Sequence, residues 1–241
     1  MIIGGLEKLT LLDYPDHLAA IIFTQGCNFR CHFCYNPMLV LPQTGKDVEI
    51  EKEKGFSPLS TEDLFLFLRE RYGRLEGVVI TGGEPTIHPD LPEFIKQIKE
   101  IGYLVKLDSN GTNPEMLEGL IKAKLIDYIA MDIKAPLLKY ERTVNVKLDW
   151  ENIKKSVKII IESGLPYEFR TTVVPGLLEK EDFEEMGQMI KGAKKWYLQI
   201  FKSDTDLVNQ DYYQKKAYTR KEMAEFVVIG RKYVELCELR G

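Results

Sequence analysis

The stretch Ala19-Ala20-Ile21-Ile22-Phe23-Thr24-Gln25-Gly26-Cys27-Asn28-Phe29-Arg30-Cys31-His32-Phe33-Cys34 decides how the rest of the chain is read. Its first five residues form an apolar run of the length of a buried strand. Gly26 permits a sharp exit, and Asn36-Pro37 closes the loop that follows. Inside that loop Cys27, Cys31 and Cys34 stand as C-x3-C-x2-C. Three thiolates on one tight loop can hold a four-iron cluster and leave its fourth iron without a protein ligand, whereas iron–sulfur clusters are commonly held by four cysteines. An open iron can bind and activate a substrate. The remaining cysteine, Cys237, lies far off near the C-terminus. A zinc site with His32 as fourth ligand is the alternative, although no second ligand pair accompanies it. A disulfide reading leaves one of three clustered thiols unpaired.

One strand further on, Gly77-Val78-Val79-Ile80-Thr81 runs into Gly82-Gly83-Glu84-Pro85. Two glycines at a strand end let backbone approach a ligand closely and leave N–H and C=O groups to bond it. Glu84 can orient a cationic group such as an amine. Standing alone, G-G-E-P is a turn. Standing one strand after the cysteine loop, it reads as the second half of a binding site.

Outward from these motifs, strand-like and helix-like segments alternate. The pattern predicts strands over 103–108, 127–133, 167–174 and 196–201. Helices are predicted from a cap at Ser60 or Thr61 to about Tyr72, from an Asp90/Glu93 capping box to Ile101, to about Lys124, over 149–163 with a stop at Gly164, and over 180–191. A final helix is predicted near 219–238, with Cys237 as a buried structural thiol on an apolar stripe with Val234 and Phe226. The charged stretch within 43–59 reads as a solvated loop or short hairpin. Six βα repeats after a short N-terminal extension imply an α/β fold, a partial (β/α)6 parallel barrel, in one domain over residues 1–241.

Polar residues gather after the strands, where α/β folds bind ligands. They are Asp108-Ser109-Asn110, Asp132 with Lys134, Arg170 and Gln199. Asp132 and Lys134 are two residues apart in an apolar strand, so both side chains share one face. They read as a structural ion pair or as ligand contacts. Arg170 could bind a carboxylate bidentately. His17 and His88 read as turn residues, and His32 as filler of the cysteine loop.

The chain has 241 residues, 44% of them apolar, and a net charge of −4. That suits one domain with a full core. No basic patch points to nucleic acid, no apolar stretch is long enough for a membrane span, and no signal peptide is seen. A cytoplasmic location is expected.

C-x3-C-x-aromatic-C followed by G-G-E-P resembles the radical S-adenosylmethionine (SAM) superfamily. The resemblance implies one [4Fe–4S] cluster on Cys27, Cys31 and Cys34, with SAM on its open iron. It implies Phe33 beside the adenine and Gly82, Gly83, Glu84 and Pro85 at the methionine amino group. Lys134 would meet the SAM carboxylate or ribose and Asn110 a ribose hydroxyl, with Ser109 in the same cofactor-binding cluster. D-x-N-G, D-x-K and R-x3-V-P-G patterns, here at Asp108, Asp132 and Arg170, resemble those of glycyl-radical activating enzymes. Some relatives bind a monovalent cation near the SAM carboxylate, which makes Asp108 and Asp132 candidate cation ligands. Gly5 to Pro15 and Thr24 to Cys31 look like the activating proteins of anaerobic ribonucleoside-triphosphate reductase. The resemblance therefore implies hydrogen abstraction from a glycine of that partner enzyme, and a flavodoxin- or ferredoxin-type electron donor. A pyruvate formate-lyase-type activase, a radical SAM enzyme acting on a small molecule or another peptide, and a non-catalytic Fe–S electron-transfer or zinc module are the other readings. Asp13-Tyr14-Pro15-Asp16 departs from the pattern of pyruvate formate-lyase activases, and Tyr35 stands where both activase groups commonly carry a His before N-P. Two substitutions follow as expectations: Cys31→Ala abolishes cluster assembly and SAM cleavage, and Gly83→Val blocks SAM binding while leaving the cluster intact.

Overall fold

A computed structural model describes residues 1–40 and 59–241. The expected loop or hairpin of the charged stretch lies, except for Leu59, outside the described residues. The chain forms two compact units. The first comprises residues 1–28, 38–109 and 118–128, and the second residues 29–37, 110–117 and 129–241. Helices are α1 (Pro37–Val40), α2 (Thr61–Arg71), α3 (Leu91–Ile101), α4 (Pro114–Lys122), α5 (Leu137–Val144), α6 (Trp150–Glu162), α7 (Asp182–Met189) and α8 (Arg220–Gly230).

In the first unit, strands β1 (Ile3–Thr10), β2 (Ala19–Thr24), β3 (Gly77–Gly82) and β4 (Leu104–Ser109) pair in chain order. β1 runs antiparallel to β2, and the other pairs are parallel. β2 is buried along almost its whole length. A parallel strand covered on both faces is apolar throughout rather than alternating, which is why its sequence reads as a continuous run. One face packs Ala19, Ile21 and Val79 with Tyr14 and Tyr128. Glycine at 77 makes room for Tyr14, because a Cβ there would lie 2.7 Å from its ring. Ser60 caps α2 by accepting from the Asp63 N–H at 3.0 Å. The capping box expected at Asp90 does not form. The Asp90 carboxylate instead accepts from the Met1 amino group and makes no cap bond to α3.

In the second unit, which holds β5 (Tyr128–Asp132) from Ile129 onward, β5, β6 (Tyr167–Val173), β7 (Lys195–Ile200) and β8 (Leu236–Arg240) are each parallel to the next. The six parallel strands expected from sequence are thus β2 to β7. The single final helix is corrected: α8 ends at Gly230, and residues 236–240 form β8 against β7. Glycine at 230 permits this, since a Cβ there would lie 2.5 Å from Cys237 Sγ and 3.1 Å from the Trp196 ring. Cys237 is buried, as expected, but on a strand rather than a helical stripe. Burial pushes its thiol up to about 12. The Arg240 guanidinium grips buried Glu168 with two bonds of 2.7 and 3.0 Å and stacks over Tyr197 at 3.7 Å, tying β8 to β6 and β7. On the helical face, Phe183 of α7 stacks on Phe226 of α8 with ring centroids 4.7 Å apart. The Trp196 indole N–H donates to Thr171 Oγ1 at 2.9 Å. Helix α5 has no counterpart in the sequence expectations.

Candidate active site

The two motifs of the first unit are joined through backbone. The Gly83 N–H donates to the Thr24 carbonyl and the Glu84 N–H to the Gly26 carbonyl, both at 2.8 Å. The G-G-E-P turn is thereby fastened to the root of the cysteine loop, one residue before Cys27. Two of the turn's N–H groups thus bond the chain itself. Gly82 has φ +112°, a region that side-chain-bearing residues rarely adopt. At Gly83 a Cβ would overlap the Gly26 backbone. The glycines serve close approach of two loops of the chain.

Glu84 is 1% exposed. Its Oε1 accepts from the Thr86 N–H at 3.1 Å, the Thr86 hydroxyl at 2.5 Å and the Ser109 hydroxyl at 2.9 Å. The carboxylate thus caps the short 3-10 turn Pro85–Ile87 and ties β3 to β4. Glu84 and Ser109 are brought together as candidates. Asp108 instead pairs with Lys106 Nζ at 2.5 Å, in a pair whose lysine is 1% exposed. Lys106 was not among the residues singled out from sequence. Its signal was available, because a lysine two residues from an aspartate in an apolar strand is the pattern that exposed Asp132 and Lys134.

The second unit carries Cys31, Phe33, Cys34, Asn110, Asp132, Lys134 and Arg170. Lys134 Nζ lies 3.1 Å from one Asp132 oxygen. Arg170 Nε lies 3.2 Å from the other, across the β5–β6 register that sets Asp132 opposite Arg170. Burial alone would raise the Asp132 carboxyl, but the Arg170 and Lys134 cations outweigh it and hold it at about 2. Burial opposes the Lys134 ammonium too, yet the Asp132 charge raises it above the usual lysine range. The sign of the pH effect follows. A carboxyl lowered in the fold stabilises above its unfolded value near 3.9, and the gain disappears as pH falls through about 2. Asp132→Asn is expected to cost about 2 kcal/mol in urea unfolding at pH 7. The difference from the parent should shrink toward zero between pH 4 and pH 2. A constant difference over that range would contradict the ion-pair account.

The Lys134 ammonium also sits 5.7 Å over the Phe33 ring, and Phe33 is buried. Burial pushes the Cys34 thiol up, while the Asn36 N–H and Lys134 pull the other way. Asn110 Oδ1 accepts from the Thr112 N–H at 3.0 Å and hydroxyl at 2.7 Å, closing the turn after β4. His32, the fourth ligand of the zinc alternative, has Nδ1 3.1 Å from Asn209 Nδ2 and its ring stacked on Tyr212. None of the four cysteines is in a disulfide. Among the described residues, no three His, Cys, Asp or Glu side chains converge on one point for a single ion.

The Radical SAM superfamily model matches residues 21–191. The chain belongs to the radical SAM superfamily. It is similar to a Methanocaldococcus jannaschii protein provisionally named a glycyl-radical enzyme activating enzyme, with 32% identity over 99% of this chain and 95% of that protein. It is also similar to the pyruvate formate-lyase-activating enzyme of Streptococcus mutans, with 26% identity over 80% of this chain and 73% of that one. Its fold resembles a domain of a pyruvate-formate lyase-activating enzyme from Bacteroides vulgatus, with a TM-score of 0.55, 16% identity, and coverage of 69% of this chain and 99% of that domain. The α/β fold with parallel strands is therefore the radical SAM fold, and the chain falls with the glycyl-radical activating enzymes of that superfamily. Membership brings a [4Fe–4S] cluster and SAM as cofactors. The donor set suits such a cluster: three thiols lie within eight residues of sequence and none is in a disulfide, while Cys237 is buried on β8. No helix of the described residues is long and apolar enough to cross a membrane.

Proposed function

We propose that this radical SAM protein is a cytoplasmic activase that installs a glycyl radical in anaerobic ribonucleoside-triphosphate reductase. The observation that carries the reading is the backbone fastening of G-G-E-P to the root of a loop with three cysteines, none of them in a disulfide. Cys27, Cys31 and Cys34 would hold the cluster. A cluster held there and reduced by a flavodoxin- or ferredoxin-type donor would supply the one electron needed for reductive cleavage of SAM, and with it the means to take a hydrogen from a glycine Cα with release of methionine and 5′-deoxyadenosine.

The chain's own residues bind, orient and exclude water. The loop of Gly82, Gly83, Glu84 and Pro85 presents the methionine end of SAM, and Glu84 and Ser109 hold that loop in place. Phe33 lines the adenine side under Lys134. Arg170 and Lys134, already oriented by Asp132, offer fixed cations to a carboxylate, and Asn110 serves the ribose. Lys106 beside Asp108, and two cations on Asp132, argue against a monovalent cation at either aspartate. Likeness to the Streptococcus mutans enzyme favours a second reading, in which the partner is of the pyruvate formate-lyase type. Release of 5′-deoxyadenosine with each partner, and with none, decides between them. Turnover stimulated by the ribonucleotide reductase alone is expected. Equal release without any glycyl-radical enzyme would overturn the activase reading in favour of a small-molecule or peptide substrate.

A further inference from the structure

The segment between β7 and α8 lies across the half of the cysteine loop that belongs to its own unit. The Val208 N–H donates to the Cys34 carbonyl and the Asn209 N–H to the His32 carbonyl, each at 3.1 Å. The Lys202 N–H donates to the Tyr35 hydroxyl at 3.2 Å, and Tyr35 stacks near Phe201. Leu207 anchors the segment in the core at 2% exposure. Backbone carbonyls of the loop are thus pinned on both sides of Phe33 by one strap.

Asn209 sets the side-chain part of this contact. Its Oδ1 accepts from the Asp211 N–H at 2.9 Å, which fixes the amide orientation and turns Nδ2 toward His32 Nδ1 at 3.1 Å. An amide NH2 can only donate, so His32 Nδ1 must accept, and the ring carries its proton on Nε2. Tyr212 closes the other side, stacked on the ring at 5.6 Å and 11°. His32 is therefore held in one tautomer and one orientation, rather than filling the loop passively.

We infer that Asn209 and Tyr212 are positioning residues that clamp the Cys31–Cys34 loop through His32 and thereby set the retention and reduction potential of the cluster. The inference rests on the reading that these cysteines hold it. Groups outside the ligand set orient the ligands, and the charge and hydrogen bonding around the sulfurs set the potential.

Two variants keep an oxygen to cap the Asp211 N–H while removing the amide NH2 that reaches His32: Asn209→Ser and Asn209→Asp. Reconstituted Asn209→Ser is expected to lose iron to a chelator about tenfold faster than the parent. Asn209→Asp, which adds a negative charge beside the loop, is expected to lower the cluster's midpoint potential in an EPR-monitored titration. In the iron-free protein, long-range proton–nitrogen spectra should show His32 protonated on Nε2 in the parent and on Nδ1 in Asn209→Asp. A parent that carries the proton on Nδ1 overturns the clamp without touching the cluster assignment. Unchanged iron loss and potential in both variants would do the same. A parent that binds no cluster overturns the clamp and the cluster assignment together.

Discussion

Cys31→Ala is expected to bind less than about a tenth of the parent's iron after anaerobic reconstitution and to release no 5′-deoxyadenosine. Cys31 is the middle cysteine of the loop and, on the proposed reading, the middle of its three cluster ligands. Cys237 sits in the second unit's core against Trp196 and Gly230, and its thiol is pushed up to about 12 by burial. Loss of one thiolate from a structural metal site removes binding energy of the order that mutation of even the outer-shell partners changes by about 10–100-fold. Cys237→Ala is the matched control: it should keep the parent's iron content, absorption spectrum and turnover. Iron content that falls in Cys237→Ala and survives in Cys31→Ala would reverse the assignment of ligands.

Gly83→Val is expected to lose the cluster as well as SAM binding. The fold overturns the simpler expectation that only SAM binding would fail. Any Cβ at 83 meets the Gly26 backbone, and backbone cannot yield as the end of a side chain can. The two bonds from Gly83 and Glu84 to Thr24 and Gly26 would part, displacing the residue next to Cys27. Overpacking of this kind costs about 1–3 kcal/mol even where neighbours relax. Measured as iron per protein and as SAM affinity, both should fall by about tenfold or more. A variant with full iron and no SAM affinity would show instead that the turn is only a ligand face.

The motifs were legible because their residue types are distinctive: clustered thiols, and glycines where a Cβ would meet backbone. What sequence could not convey is which groups those residues satisfy. Glu84 reads as an available carboxylate, yet its oxygen is shared among Thr86 and Ser109, and Ser109 lies on another strand. Alternation found Asp132 and Lys134 on one face, but Arg170 becomes the third member only through the β5–β6 register. The same alternation could have found Lys106 and Asp108. Apolar periodicity carried the last helix through to residue 238 because Val234 and Cys237 extend the pattern of α8. Gly230 was the stop signal, and its meaning depends on the packing of Cys237 and Trp196. The β7–α8 strap has no periodicity at all. Its partners, His32 to Tyr35, are more than 160 residues away in sequence.

The most direct test of the whole account is the EPR spectrum of the reconstituted, reduced protein incubated anaerobically with SAM and anaerobic ribonucleotide reductase. The doublet of a glycyl radical on the reductase is expected, with one 5′-deoxyadenosine formed for each radical. An intact reduced cluster that yields neither the doublet nor 5′-deoxyadenosine with any glycyl-radical enzyme would contradict it.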